Sequence, residues 1–113
     1  MIQIYHNPRC GKSREGLAIV ENSGKDFEVI KYLTDIPSKQ ELLTVIKKLG
    51  ITPIELVRKT EQIWKEKFHD LQLNDDAIVD AMLAFPILIE RPIVINGNKA
   101  VIGRPPEKIK DII

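Results

Sequence analysis

The apolar and polar positions of the first 33 residues predict a strand, a helix and a second strand. Residues 2–5 form a short, mostly apolar run, and apolar positions at helical spacing follow Cys10 to about Asn22, with Gly24 as the expected stop. Residues 27–33 mix β-branched and charged side chains, which indicates the second strand. Because a helix joins them in so short a stretch, the two strands are predicted to be parallel.

Helical patterns fill the middle of the chain, from about residue 37 to residue 85. Capping residues and prolines mark where these helices start, and glycine or proline marks where they stop. The expected first and last positions of three helices are Ser38 and Gly50, Thr52 and Arg58, and Asn74 and Pro86. A further helical turn is expected around Trp64 and Phe68, which are four residues apart.

The last third of the chain predicts a hairpin and a closing helix. Two β-branched runs, residues 93–95 and 100–102, flank Asn96-Gly97-Asn98-Lys99, which is a strong turn signal. Pro105-Pro106 opens the last helix, whose inward positions would be Ile109, Ile112 and Ile113. The pattern therefore predicts one α/β domain over residues 1–113, with a four-stranded mixed sheet (βαβ…ββα) and a helical insertion at about 37–85.

Composition narrows the class of protein. A net charge of +1 gives no support for a nucleic-acid or membrane-surface partner, and no apolar run approaches the roughly 18 residues of a membrane span. The chain starts with a strand pattern, so no signal peptide is expected. One cysteine cannot form an internal disulfide and fits a cytoplasmic location, and one cysteine with two distant histidines cannot build a typical zinc site. A monomer is the default expectation.

The single cysteine, Cys10, is the best candidate for chemistry. A strand, an Asn-Pro turn and a helix would place it at a helix N-terminus, where N–H groups and the helix dipole stabilise an anion. Thiol pKa values in such settings fall to roughly 3.5–7.5. Arg9, Lys12 and Arg14 add positive charge close by. A buried cysteine acting as a small hydrophobe is the alternative, but these polar neighbours argue against it.

Residues 10–13 have the spacing Cys-x-x-Ser, which is a thioredoxin-type redox site with a hydroxyl in place of the second thiol. A disulfide formed at Cys10 must then be resolved by a thiol from outside the chain. Gly11-Lys12-Ser13 is no P-loop, because His6 stands where that motif needs glycine. His6 could add positive potential near the thiolate or simply hydrogen-bond the turn.

Three arginines are candidates for binding an oxyanion. Arg91 precedes a proline where the chain enters the hairpin, and Arg104 precedes a proline where it leaves; Arg58 lies in the insertion. Converging guanidinium groups would hold a tetrahedral anion by bidentate hydrogen bonds. The alternative is that each is an ordinary surface arginine, and spacing alone leaves both open.

Several motifs together resemble the glutaredoxin-coupled arsenate reductase family (ArsC-like). They are His-Asn-Pro-x-Cys-Gly-x-Ser-Arg, Leu-x-Arg in the insertion, Ile-Leu-Ile-x-Arg-Pro-Ile-Val, and Gly-Arg-Pro near the end. The resemblance covers nearly the whole chain and implies a thioredoxin-like fold. It also implies a nucleophile at Cys10 and oxyanion-binding groups at Arg58, Arg91 and Arg104. The supporting positions that it implies are His6, Gly11, Ser13, Arg14 and Pro92, the last after a cis peptide bond.

The resemblance further implies an activity, the reduction of arsenate to arsenite through a thiol–arsenate adduct on Cys10. Its co-substrate would be glutathione, its protein partner glutaredoxin, and no cofactor would be bound. A general glutathione-dependent thiol-disulfide oxidoreductase is the first alternative. A redox-linked transcriptional regulator is the second, although such proteins commonly carry Cys-x-x-Cys, and Ser13 removes the second thiol.

Overall fold

The computed structural model describes residues 1–113, and its elements follow the predicted order. Four strands form one sheet, and α-helices and 3-10 helices connect them. The strands are β1 (Ile2–Tyr5), β2 (Phe27–Ile30), β3 (Ile93–Asn96) and β4 (Lys99–Ile102). The α-helices are α1 (Gly11–Asn22), α2 (Lys39–Leu49), α3 (Gln62–Lys67) and α4 (Asp75–Ala84). The 3-10 helices span Pro53–Leu56, Pro86–Leu88 and Pro106–Asp111.

The chain forms two compact units, and the sheet belongs to the first, which comprises residues 1–35 and 91–113. The strand order is β2-β1-β3-β4. The β1 strand pairs parallel with β2 and antiparallel with β3, so the predicted parallel pair is confirmed. Asn96 pairs with Lys99 across a two-residue turn, where Gly97 has φ +63°. Turns of this length favour glycine because their twist requires a positive φ.

Apolar side chains from the sheet, α1 and the last 3-10 helix build the core of the first unit. Ile2, Ile4, Val20, Val94 and Ile109 are all buried and form one cluster. The apolar face of β1 thus packs against α1, which begins next to Cys10. Burial of this face is the main stabilising contribution to the unit that carries the cysteine.

The second unit, residues 36–90, is helical as predicted, apart from one isolated bridge between Val57 and Ile89. The Ser38 hydroxyl accepts the N–H of Glu41, whose carboxylate accepts the N–H of Ser38, so the predicted capping box forms. Gly50 ends α2 with φ +69°. No helix of the chain combines the length and the apolar character needed to cross a bilayer.

Three predicted boundaries or helix types are wrong. The β2 strand ends at Ile30 and not at residue 33, because the N–H groups of Thr34 and Asp35 fold back onto the Lys31 carbonyl as a turn. The helix opened by Pro53 is a 3-10 helix that stops at Leu56, two residues before Arg58, because Val57 is extended and pairs in the bridge. The closing helix is also 3-10, with Ile109 buried and Ile112 and Ile113 half-buried.

Candidate active site at the start of the first helix

Cys10 is the N-cap residue of α1, as the sequence predicts. Its backbone is extended, with φ −96° and ψ 124°. Its N–H donates to the Asn7 carbonyl at 3.0 Å, and its carbonyl accepts the N–H of Arg14 at 3.0 Å. These two hydrogen bonds fix the turn that connects β1 to α1. The half-buried thiol therefore lies where the helix presents its unpaired N–H groups.

The loop before Cys10 is held by a buried hydroxyl. Ser13 is fully buried, its Oγ accepts the N–H of Asn7 at 2.9 Å, and it lies 2.7 Å from His6 Nδ1. Burial lowers the pKa of His6, and the positive charges of Lys31 and Arg14 act in the same direction, against the raising effect of a hydrogen bond to the Ser13 backbone. Because Ser13 Oγ already accepts the Asn7 N–H, its own proton can be donated to Nδ1 of a neutral imidazole. Of the two roles predicted for His6, the geometry supports bonding within the turn.

Two of the three predicted arginines reach Cys10. Arg104 donates from Nη2 to the Cys10 sulfur at 3.5 Å and from Nε to the Arg91 carbonyl at 2.9 Å. Arg91 is only 7% exposed, and its guanidinium lowers the pKa of the Cys10 thiol by hydrogen bonding and by its positive charge. The structure therefore brings together the entry and exit of the hairpin at the cysteine.

The peptide bond before Pro92 is cis, as predicted, and so is the one between Arg104 and Pro105, which the sequence did not signal.

The thiol of Cys10 is electrostatically activated. Burial raises its pKa, and this is the largest single effect. The Ser13 backbone N–H, the Arg91 guanidinium with its charge, and the Lys12 backbone N–H act in the opposite direction and together outweigh it. The pKa of Cys10 consequently lies below its ordinary value. The thiolate is the reactive form of cysteine, so this environment favours nucleophilic chemistry.

Arg58 belongs to the second unit and forms ion pairs there. Its Nε donates to Glu61 Oε1 at 3.3 Å, and its Nη1 donates to Glu90 Oε1 at 3.0 Å. Burial lowers the pKa of Arg58, but the carboxylates of Glu90 and Glu61 raise it above the ordinary value. The guanidinium is thus firmly charged and held, and its predicted role in binding an oxyanion stays a prediction.

The two remaining supporting positions lie on the surface. Arg14 donates from Nη1 to the Pro8 carbonyl at 3.0 Å, so its guanidinium braces the loop. Gly11 is the exposed first residue of α1, and a Cβ built there would have only an ordinary contact, 3.8 Å from Arg14 Nη2. Neither residue is among the groups named above that lower the pKa of Cys10.

The packing around Pro92 is a feature that sequence reasoning missed. A Cβ on Gly16 would lie 2.7 Å from Pro92 Cγ, and a Cβ on Gly103 would lie 2.9 Å from the same atom. The N–H of Gly103 also donates to the Pro92 carbonyl at 2.8 Å. Both glycines therefore allow close approach of backbone to the proline that follows Arg91. Their positions in sequence carry no such signal, because the neighbours are distant along the chain.

Sheet order, helix placement and a cysteine at the N-cap of the first helix define a thioredoxin-like α/β protein. The family model described as the ArsC family matches residues 5–112, and the chain belongs to this family. The resemblance drawn from the sequence motifs is thereby confirmed.

Individual relatives match over nearly their whole length. The chain is 44% identical over 112 residues to an arsenate reductase of Haemophilus influenzae, covering 97% of each. It is 42% identical over 114 residues to the uncharacterized protein YfgD of Escherichia coli K12, covering 99% of this chain and 96% of that one. Among solved structures, an arsenate reductase from Vibrio cholerae superposes with a TM-score of 0.93 at 46% identity, covering 99% of this chain and 97% of that one.

Proposed function

We propose that this protein is an arsenate reductase that uses Cys10 as its nucleophile and draws electrons from glutathione and glutaredoxin. The observation that carries the proposal is the Cys10 sulfur at the start of α1, which accepts a hydrogen bond from Arg104 and whose pKa the Arg91 guanidinium lowers. A thiolate faced by guanidinium groups suits a reaction in which a tetrahedral oxyanion must approach an anionic sulfur. The arsenate reductases of Haemophilus influenzae and Vibrio cholerae support arsenate as that anion.

In the first step, the Cys10 thiolate attacks arsenic, a sulfur–arsenic bond forms, and an arsenate oxygen leaves as hydroxide or, once protonated, as water. Arg91 and Arg104 stabilise the charge that develops on the remaining oxygens. The geometry of their contacts with the sulfur supports this role. Arg58 is assigned the same role on the family resemblance alone.

In the second step, the sulfur of glutathione attacks the Cys10 sulfur. The sulfur–arsenic bond breaks and leaves its electron pair on arsenic, which passes from the +5 to the +3 state and departs as arsenite. The two thiols lose the same two electrons as they form a mixed disulfide. Glutaredoxin then removes glutathione by thiol–disulfide exchange and regenerates Cys10. An external thiol is required because the chain contains one cysteine.

The experiment is NADPH-coupled turnover of arsenate with glutathione, glutathione reductase and glutaredoxin. We expect turnover by the native protein, none by Cys10→Ser, and about a 100-fold lower kcat/KM for Arg91→Ala, since a charge-assisted contact to the anion is lost. Lys99→Ala removes a charge from the exposed turn end of β4 and is the control. If the native protein gave no turnover while Cys10 still became glutathionylated, the thiol-disulfide oxidoreductase alternative would replace this proposal.

A further inference from the structure

The carboxylates of Glu61 and Glu90 accept hydrogen bonds from different nitrogen atoms of the Arg58 guanidinium. Glu61 accepts from Nε and Glu90 accepts from Nη1, while Nη2 is the amino group that neither carboxylate holds. The side chains of Arg58, Glu61 and Glu90 are only 19%, 25% and 21% exposed. Because water competes poorly at such sites, these hydrogen bonds fix the guanidinium plane far better than surface ion pairs would.

The backbone fixes the same geometry. The N–H of Arg58 donates to the Leu88 carbonyl at 2.7 Å, and the N–H of Glu90 donates to the Leu56 carbonyl at 2.8 Å, on either side of the Val57–Ile89 bridge. Side chains alternate between faces along each extended segment, so residues 58 and 90 are diagonal neighbours on one face. Glu90 is therefore set beside Arg58 by hydrogen bonds that do not involve either side chain. Glu90 is also the residue immediately before Arg91.

We propose that Glu90 and Glu61 are positioning residues that hold the guanidinium of Arg58 in one orientation and leave Nη2 available to an oxyanion. This inference rests on the proposed function, in which Arg58 is an oxyanion ligand. A free arginine side chain would have to be ordered when the anion binds, and that loss of freedom weakens binding. Holding the guanidinium beforehand removes this cost. The carboxylates also keep the positive charge of Arg58, whose side chain is only 19% exposed, paired while no anion is bound.

Neutralisation of the Arg58 charge by the carboxylates is a competing effect. It predicts a change in anion affinity opposite to the one that positioning predicts, which makes the proposal testable. If the carboxylates only neutralised Arg58, removing their charge would increase the attraction for an anion and tighten its binding. If they position Arg58, removing their charge loosens the guanidinium and weakens binding. Substituting glutamate by glutamine keeps the size of the side chain and removes its charge, so the direction of the change separates the two effects.

The readout is protection of Cys10 by arsenate against alkylation with iodoacetamide, which gives an apparent Kd without turnover. We expect Glu90→Gln to raise the apparent Kd about tenfold, as for a weakened charge-assisted hydrogen bond, and Glu61→Gln to raise it less because its bond to Arg58 is longer. The control is Glu66→Gln, an exposed α3 carboxylate bonded to Gln62. Unchanged or tighter binding in both Glu61 and Glu90 variants would overturn the proposal.

A double-mutant cycle shows whether Glu90 acts through Arg58. In the Arg58→Ala background, Glu90→Gln should change the apparent Kd no further, whereas independent, additive effects would contradict positioning. Loss of protection that tracks a lowered thermal midpoint in both glutamine variants would show a merely structural role. Protection without NADPH-coupled turnover would refute the reductase and leave the positioning role standing. Turnover without protection of the native protein would overturn the positioning role and leave the reductase standing.

Discussion

Arg104 Nε donates a hydrogen bond to the main-chain carbonyl of Arg91 at 2.9 Å. The same guanidinium reaches the Cys10 sulfur through Nη2 at 3.5 Å. The planar guanidinium of Arg104 therefore links the main chain of Arg91 to the Cys10 sulfur. This double contact uses the fork geometry of arginine, which a single ammonium cannot reproduce.

Arg104→Lys is consequently expected to behave as a severe substitution although it keeps the charge. Lysine can contact either the Arg91 carbonyl or the region of the sulfur, and loss of one charge-assisted hydrogen bond corresponds to about a 10- to 100-fold lower kcat/KM for arsenate. Steady-state kinetics of arsenate reduction measure this. Arg9→Lys, in the exposed loop, is the matched control and should leave kcat/KM within about twofold. Equal values for native protein and Arg104→Lys would show that the fork geometry is irrelevant.

The alkylation rate of Cys10 should rise with pH through a midpoint below that of an ordinary cysteine. Above its pKa the thiol is the reactive thiolate, and below it the thiol is protonated, so a lowered pKa moves the midpoint to lower pH. Arg91→Gln should move the midpoint back upward, because it removes both a hydrogen bond to the sulfur and a positive charge. Iodoacetamide kinetics between about pH 4 and pH 10 give both midpoints. A midpoint that Arg91→Gln leaves unchanged would mean that the backbone N–H groups alone activate the thiol.

Gly16→Ala should destabilise the protein even though alanine is the better helix former. The added Cβ would meet Pro92 Cγ at 2.7 Å and Ile109 Cδ1 at 3.0 Å, so α1 or the proline must shift. Overpacking of this kind costs about 1–3 kcal/mol, against a helix-propensity gain of about 1 kcal/mol. Urea unfolding measures the difference. Gly11→Ala, with its nearest contact at 3.8 Å, is the control and should be neutral or slightly stabilising.

Ser13→Ala should cost about 1–3 kcal/mol of unfolding free energy. The substitution leaves the buried N–H of Asn7 without its hydroxyl acceptor and removes the partner of His6 Nδ1. Ser23→Ala is the control. The Ser23 hydroxyl lies half-buried at the end of α1 and donates to the Val20 carbonyl, which water can reach once the hydroxyl is gone. Equal losses for the two variants in urea unfolding would contradict a special role for the buried hydroxyl.

Local signals predicted most elements, because caps, turns and periodicity act over a few residues. The capping box at Ser38, the stop at Gly50 and the turn at Gly97 all formed where the sequence indicated. Predictions failed where distant partners decide the backbone, as at Val57, whose pairing with Ile89 ends a helix early. The convergence of Arg91 and Arg104 on Cys10 was likewise open from spacing alone. It depends on sheet order, which no local pattern encodes.

The environment of Ser13 bears on how this chain could evolve. Its Oγ accepts the Asn7 N–H and bonds His6 inside the loop. A single codon change to cysteine would supply a second thiol, but sulfur is a weak acceptor and would leave that buried N–H poorly satisfied. A second thiol at this position would therefore be gained at the expense of that hydrogen bond. The buried hydroxyl thus stabilises the turn in a form that offers Cys10 no second thiol within the chain.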